Sequence, residues 1–441
     1  MFNKIKIGLL NHRNIIRIVK YILISVVLLW VSWFFDYRSP QLKKALPKIL
    51  LLSPEVTSSF LSNLSGTFLT VTTFTFTTIL TVLGKYSDSF SPRIVQDFID
   101  KPNVLSLVGI YIGGFFYTVL ALFMVQNIDL EVPLVGGTLA VFYAIAAMIS
   151  FILFVRRVLA DIKLTSVVDN IYDKAYRLIQ EEAKRRKASE RFESEDCQDT
   201  IKIYANKTGF FYDIDSQGLL SQLKEVKGEL VIDKKIGQYL SKGVYIAELR
   251  TFEKLDLAGE EKEDFLSKLA SFLLVNDSKN DHQDYHHEIT NLVEIALKAL
   301  SPGINDPNSA IEAIQKLSLL LGQLFSTENF YVVLNESDQL KIIYNGYSVQ
   351  EELTASFAQI IHYGKADPLV AKAILESLYM VYMISAESVK GHVKAYVDAV
   401  YKICRQAMAT DLDKRPLDAI YQDFSQHRDE HSNEEAIREE D

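Results

Sequence analysis

Residues 133–155 read PLVGGTLAVFYAIAAMISFILFV, and no side chain among them carries a charge. A helix of this length, rising about 1.5 Å per residue, covers the ~30 Å hydrocarbon core of a bilayer. Arg156, Arg157 and Lys163 follow the run closely. The stretch reads as a transmembrane helix, and three upstream runs read the same way. Taken together, spans at 18–36, 61–84, 104–126 and 133–156 form a transmembrane domain over residues 1–157. The first run ends in the bulky Trp33-Phe34-Phe35 rather than in a small-residue cleavage site, so it reads as a retained anchor and not as a secretory signal.

Four spans put both termini on one side. Lys4, Lys6, Arg13, Arg17 and Lys20 precede the first span, while the turn at residues 127–131 is acidic, so the positive-inside rule places both termini in the cytoplasm. The chain has 441 residues, 49% of them hydrophobic, which is enough for more than one domain. Its net charge of −9 and the lack of a basic stripe after Arg157 argue against nucleic acid as a partner. Only Cys197 and Cys404 occur, so no disulfide framework is expected.

Beyond the membrane the pattern changes twice. Helical periodicity continues through residues 158–199, read as a stalk. Residues 200–250 carry short β-rich runs at Ile201-Lys202-Ile203, Phe210-Phe211-Tyr212, Leu230-Val231-Ile232 and Val244-Tyr245-Ile246, read as a small barrel-like insertion. Residues 251–425 read as a helical domain interrupted by a hairpin at residues 331–344, and the charged tail at 426–441 reads as disordered. The expected fold is mostly α: four transmembrane helices, then a cytoplasmic α+β domain with a small β-rich insertion.

Residues 67–84, TFLTVTTFTFTTILTVLG, place hydroxyls where leucine would serve. At 100° per residue, Ser59, Asn63, Gly66, Thr70, Thr73, Thr77, Thr81 and Gly84 share one face. Two readings are open: close helix packing, or the wall of a water-filled path with Asn63, Gly66, Thr70, Thr73, Thr77 and Thr81 as lining residues. Gly109 and Gly113 in the third span have the spacing of a tight helix crossing. Between the second and third spans, Ile94, Val95, Phe98 and Ile99 share a face of a short interfacial helix.

Residues 281–314, DHQDYHHEITNLVEIALKALSPGINDPNSAIEAI, join two helices through one break. Pro302 and Gly303 end the first helix, Gly303 by tolerating left-handed dihedrals; Asn305 is a turn residue that tolerates positive φ, Asp306 an N-cap and Pro307 a first-turn residue. His282 and His286 lie four apart, but a zinc site needs three or four converging ligands and the helix offers two, so no metal or other cofactor is expected. Neither a nucleophile elbow, a Walker loop, a dinucleotide fingerprint nor a CxxC pair occurs, and an enzyme built on Asp284, Glu288 and Asp306 is the weakest reading.

Phe90-Ser91-Pro92-Arg93 after the threonine-rich span, the glycine-rich third span, Gln283-Asp284 ahead of a helix, and Ser301-Pro302-Gly303-Ile304-Asn305-Asp306-Pro307 together resemble domain of unknown function family 2254, a group of prokaryotic multi-pass membrane proteins. A common family form has Phe-Gly shortly after Gln-Asp, where this chain has Tyr285-His286-His287-Glu288. The resemblance implies an inner-membrane location and this order of segments, and no activity. The expected function is a homo-oligomeric channel for ions or small solutes with a regulatory cytoplasmic domain, in contact with the lipid bilayer. The alternative is a membrane-anchored sensor or scaffold whose cytoplasmic domain binds a ligand or partner.

Overall fold

The structure is a computed structural model that describes residues 13–39, 43, 45–89, 102–125, 132–161, 164–189, 197–255, 259–276, 284–336 and 340–440. Phe90, Ser91, Pro92 and Arg93, the helix expected at residues 94–99, the turn expected at 127–131, and His282 with Gln283 lie outside the described residues. The chain divides into two compact units, Met1–Ser166 and Val167–Asp441. About 70% is helical, with four helices long and apolar enough to cross a membrane followed by a region containing small sheets, as the sequence predicts.

The first unit is a helical bundle. Helix α1 (Arg13–Trp33) ends in a π-helical turn, Phe34–Arg38, and is followed by α2 (Pro54–Ser89), α3 (Pro102–Val125) and α4 (Gly136–Asp161). Helix α3 is the central element, with α1, α2 and α4 packed against it. Its glycines make this close approach feasible: a Cβ on Gly113 would sit 2.5 Å from Ser25 Oγ and 2.9 Å from the Tyr21 carbonyl oxygen, and one on Gly109 would sit 2.9 Å from the Tyr21 ring. Tyrosine hydroxyls, buried or half-buried, tie the helices together through backbone carbonyls, with Tyr111 donating to Ala147 O at 3.1 Å, Tyr117 to Gly136 O at 2.9 Å and Tyr143 to Ile110 O at 2.7 Å. Gly113→Leu is expected to cost about 1–3 kcal/mol by overpacking the α1–α3 crossing. A thermal unfolding series in detergent checks this, and a parent-like midpoint would show that α1 can move away without loss.

The second unit begins with α5 (Leu164–Ala188). Its apolar stripe, Val168, Ile171, Ala175, Ile179 and Ala183, is buried, so from Val167 onward this helix belongs to the unit and does not project as the expected stalk. An apolar stripe of about four turns needs cover, and its burial within the unit provides it.

Strands β1 (Asp199–Tyr204), β2 (Gly209–Ile214), β3 (Gly228–Ile232) and β5 (Tyr245–Thr251) match the four predicted β-rich runs, and the two-residue β4 (Tyr239–Leu240) lies outside them. Helix α6 (Ser216–Gln222) joins β2 to β3, and α7 (Gly259–Phe272) leads into β6 (Leu273–Asn276). The region is not a self-contained barrel over residues 200–250. One sheet runs β1-β5-β3-β8-β7 and takes its last two strands from the distant hairpin β7 (Tyr331–Glu336) and β8 (Leu340–Asn345); the other runs β4-β2-β6. The physical reason lies in β3, GELVI, every residue of which is buried. A strand with no exposed face needs a neighbour on each side, and β8 provides one by parallel pairing, Gly228 opposite Leu340 through Ile232 opposite Tyr344.

Helices α8 (Tyr285–Ala299), α9 (Pro307–Leu324), α10 (Val349–Gly364), α11 (Pro368–Ile384), α12 (Glu387–Ala407) and α13 (Asp411–Glu440) complete the unit. Leu317, Leu321, Ile374 and Leu378 have no exposed surface and form part of the helical core. The tail expected to be disordered is instead helical, since α13 continues through Glu440.

Candidate functional site

Three features compete for attention: the polar face of α2, the corner between α8 and α9, and a charged cluster that periodicity alone does not reveal.

On α2, the predicted polar face points away from the bundle. Leu61, Phe68, Thr75, Ile79 and Val82 are buried, whereas Ser59, Asn63, Gly66, Thr70, Thr73, Thr77, Thr81 and Gly84 are all exposed in the single chain. Phe76, off the polar face, is exposed as well. No neighbouring atom comes within 4 Å of a Cβ built on Gly66 or Gly84. Each threonine hydroxyl donates to the carbonyl one turn back: Thr70 to Gly66 at 2.9 Å, Thr73 to Leu69 at 3.1 Å, Thr77 to Thr73 at 3.0 Å and Thr81 to Thr77 at 3.0 Å. With their protons turned inward, these groups present oxygen lone pairs outward, an acceptor surface.

The α8–α9 corner is built as a turn. Asp306 caps α9, accepting from Ser309 N at 3.3 Å and from Ser309 Oγ at 2.5 Å, with Pro307 in the first turn. The left-handed residue is Asn305, at φ 49°, in keeping with its reading as a turn residue that tolerates positive φ; Gly303, expected to use that region to end the helix, does not. Asparagine tolerates this region because its short polar side chain can bond locally. Ser301 and Asp306 are half-buried, while Pro302, Gly303, Ile304 and Asn305 are exposed. The corner holds the turn between α8 and α9 in shape.

The charged cluster lies among the C-terminal end of α5, the start of α8 and the start of α10. Arg186 has no exposed surface; its Nε donates to Glu182 Oε1 at 3.1 Å and its Nη2 to the Tyr285 hydroxyl at 3.2 Å. Tyr285 donates in turn to Glu352 Oε1 at 2.7 Å, and the other oxygen of that carboxylate faces His286 Nδ1 at 3.1 Å. The His286 ring stacks on Tyr347, with centroids 4.2 Å apart and planes 7° from parallel. Gly346 allows the guanidinium this position, because a Cβ there would lie 2.7 Å from Arg186 Nη2. Burial disfavours the charge on Arg186, but Tyr285, Glu182 and Glu352 outweigh it and its pKa is raised. Burial, then the Glu352 carboxylate, push the Tyr285 phenol well above its ordinary value.

One turn further along α8, Glu288 is fully buried and paired with Lys174 of α5, and Asn291 Nδ2 lies 3.4 Å from Glu288 Oε2 and 3.2 Å from His287 Nε2. Asp284 is the N-cap of α8 and accepts from His286 N at 2.9 Å. The carboxylates of the enzyme reading are thus divided between two helix caps, Asp284 and Asp306, and one ion pair, Glu288. No cluster of three or more metal-ligating side chains occurs among the described residues. Arg186 follows the buried Ile179 and Ala183 on α5 and Glu352 lies beside the buried Leu353 on α10, but one charge next to an apolar stripe is ordinary at a helix surface, so neither position stands out in the sequence.

Four apolar helices and a second, mixed unit define a multi-pass integral membrane protein. The chain belongs to the DUF2254 family of predicted membrane proteins, whose family model matches residues 12–380. Its relatives include uncharacterized proteins of Mycobacterium bovis and Mycobacterium tuberculosis, each 23% identical over 322 residues. The matched region covers 71% of this chain and 61% of theirs, so the chain spans less than two thirds of these relatives' length. No solved structure matches it.

Proposed function

We propose that the protein is a homo-oligomeric channel of the inner membrane, with the exposed polar face of α2 lining a path for cations between copies. The observation that carries this reading is Asn63. The apolar stretch of α2 runs Pro54–Gly84 and so begins before residue 61, which puts Asn63 nine positions after its start, about 14 Å along the helix axis. It is exposed, on the same face as Thr70, Thr73, Thr77 and Thr81. A threonine hydroxyl can return its proton to its own backbone, but a carboxamide has two donors and an acceptor to satisfy and is costly against hydrocarbon. Water or a second copy of this face satisfies it. Outward lone pairs from successive hydroxyls replace part of a cation's hydration, which favours cations over anions. Symmetric assembly about this face closes the path. The basic N-terminal segment supports cytoplasmic termini, and the second unit then stands on that side as the regulatory part.

The test is ion flux from liposomes containing the purified protein. Potassium or sodium efflux is expected for the parent and is expected to be largely lost in Thr73→Phe and Thr77→Phe, which keep the helix but fill the path. An absence of flux at every ion and voltage tried would overturn the channel and leave a membrane-anchored sensor or scaffold. Flux unchanged in both phenylalanine variants would move the path away from α2.

A further inference from the structure

We propose that His286 is a proton-operated latch that fastens the start of α8 to α10 and, through Glu352, Tyr285 and Arg186, to α5. It stands on geometry within the second unit and does not depend on the channel reading. Glu352 is fully buried and uses both oxygens, one toward Tyr285 and one toward His286. Against a carboxylate at 3.1 Å, His286 Nδ1 carries a proton in either state of the ring, and protonation at Nε2 changes the charge without breaking that hydrogen bond. The His286 side chain is 16% exposed and so within reach of solvent protons, whereas the Glu352 side chain has no exposed surface.

The charges that face His286 decide the sign. Helix α10 contributes Glu352 and Glu351; α5 contributes Arg186 and Glu182; the residue before α8 is Asp284; the loop after β3 contributes Lys235; Tyr285 and Tyr347 are neutral phenols. Although burial works against it, hydrogen bonds from Ser348 hold the Glu351 carboxyl below the ordinary carboxylate range, and burial pushes Lys235 down. Lys316 of α9 is engaged elsewhere, by Asp169 and the Tyr172 ring. Glu352, Glu351, Glu182 and Asp284 therefore outnumber Arg186 and Lys235, and the imidazolium is the form this setting favours. Protonated His286 brings the buried Arg186–Glu182–Glu352 group to neutrality. Neutral His286 leaves one carboxylate in excess in a largely desolvated group.

Stabilisation from the imidazolium is fully present on the acidic side of ordinary histidine titration, about pH 6.5 in an unfolded chain, and is lost as pH rises through the point where folded His286 gives up its proton. The test is hydrogen exchange of the full-length protein in nanodiscs, following peptides from α8 and α10 and normalising for intrinsic base catalysis. Exchange in residues 285–299 is expected to rise roughly tenfold between about pH 6 and pH 8 in the parent. His286→Gln should exchange fast at both pH values, His286→Lys slowly at both, and Glu352→Gln should lose the pH dependence. Parent exchange that does not change with pH, or a pH response that persists in His286→Gln, would overturn the latch. Should His286→Gln fail to fold, the pH response of the parent against His286→Lys decides the matter.

Discussion

Replacing Arg186 by Met is expected to destabilise the second unit by about 3–5 kcal/mol, the cost of stranding buried carboxylates without their cation. Methionine keeps most of the volume, so the loss reports charge and hydrogen bonding more than a cavity. Glu352 has no exposed surface and Glu182 little, and neither can turn to water without opening the joint among α5, α8 and α10. The three donors that Arg186, Tyr285 and His286 line up around this group hold it closed. Urea unfolding in detergent, followed by near-ultraviolet circular dichroism, measures the change. Adding Glu352→Gln should recover a good part of it, because the second substitution removes the stranded charge. A single variant within about 1 kcal/mol of the parent would show that these carboxylates find water and that the cluster is ordinary surface chemistry.

Asp36→Ala is expected to cost the membrane bundle a similar amount. The Asp36 carboxylate, at the end of α1, accepts from Val135 N at 2.8 Å and Gly136 N at 3.2 Å, so it caps the start of α4 from a different helix. It also lies 3.7 Å from the Lys43 ammonium, and both side chains are nearly buried. Alanine removes the cap, worth about 1 kcal/mol. It also leaves the lysine without its counter-charge, and a stranded buried charge costs about 3–5 kcal/mol. Asp36→Asn should retain part of the cap and lose the ion pair, giving an intermediate loss. Lys43→Met in the Asp36→Asn background should restore stability, and thermal unfolding in detergent ranks the three. If Asp36→Ala unfolds with the parent, α4 does not need α1 to begin.

The parts of this fold that were legible in the sequence are those set by local patterns. Residues 133–155 and the other three apolar runs announce membrane helices by length alone, and Asp306-Pro307 announces a helix start because both residues suit only that position. The β-rich runs were legible as strands. Their sheet was not, because β3 pairs in parallel with β8 across more than a hundred residues and no local periodicity carries that information. The polar face of α2 was visible in full, yet whether it points into the bundle or out of it depends on which side of the helix α3 buries. The charged cluster escaped for the opposite reason. Arg186 and Glu352 look like surface charges when each helix is considered alone, and only the convergence of α5, α8 and α10 buries them together. Asn305, and not the neighbouring glycine, takes the left-handed turn because the chain needs its positive φ one residue before the Asp306 cap.

The most direct measurement is thiol accessibility along α2, with cysteines placed one at a time in a Cys197→Ser, Cys404→Ser background and the protein embedded in membranes. A charged, membrane-impermeant reagent attacks only the thiolate, which forms in water and not in hydrocarbon. The channel reading predicts labelling at Asn63→Cys, Thr70→Cys, Thr73→Cys, Thr77→Cys and Thr81→Cys, and none at Phe74→Cys or Leu80→Cys on the apolar faces of the same helix. Uniform silence across all seven positions would contradict it and make the threonine face a dry contact between helices.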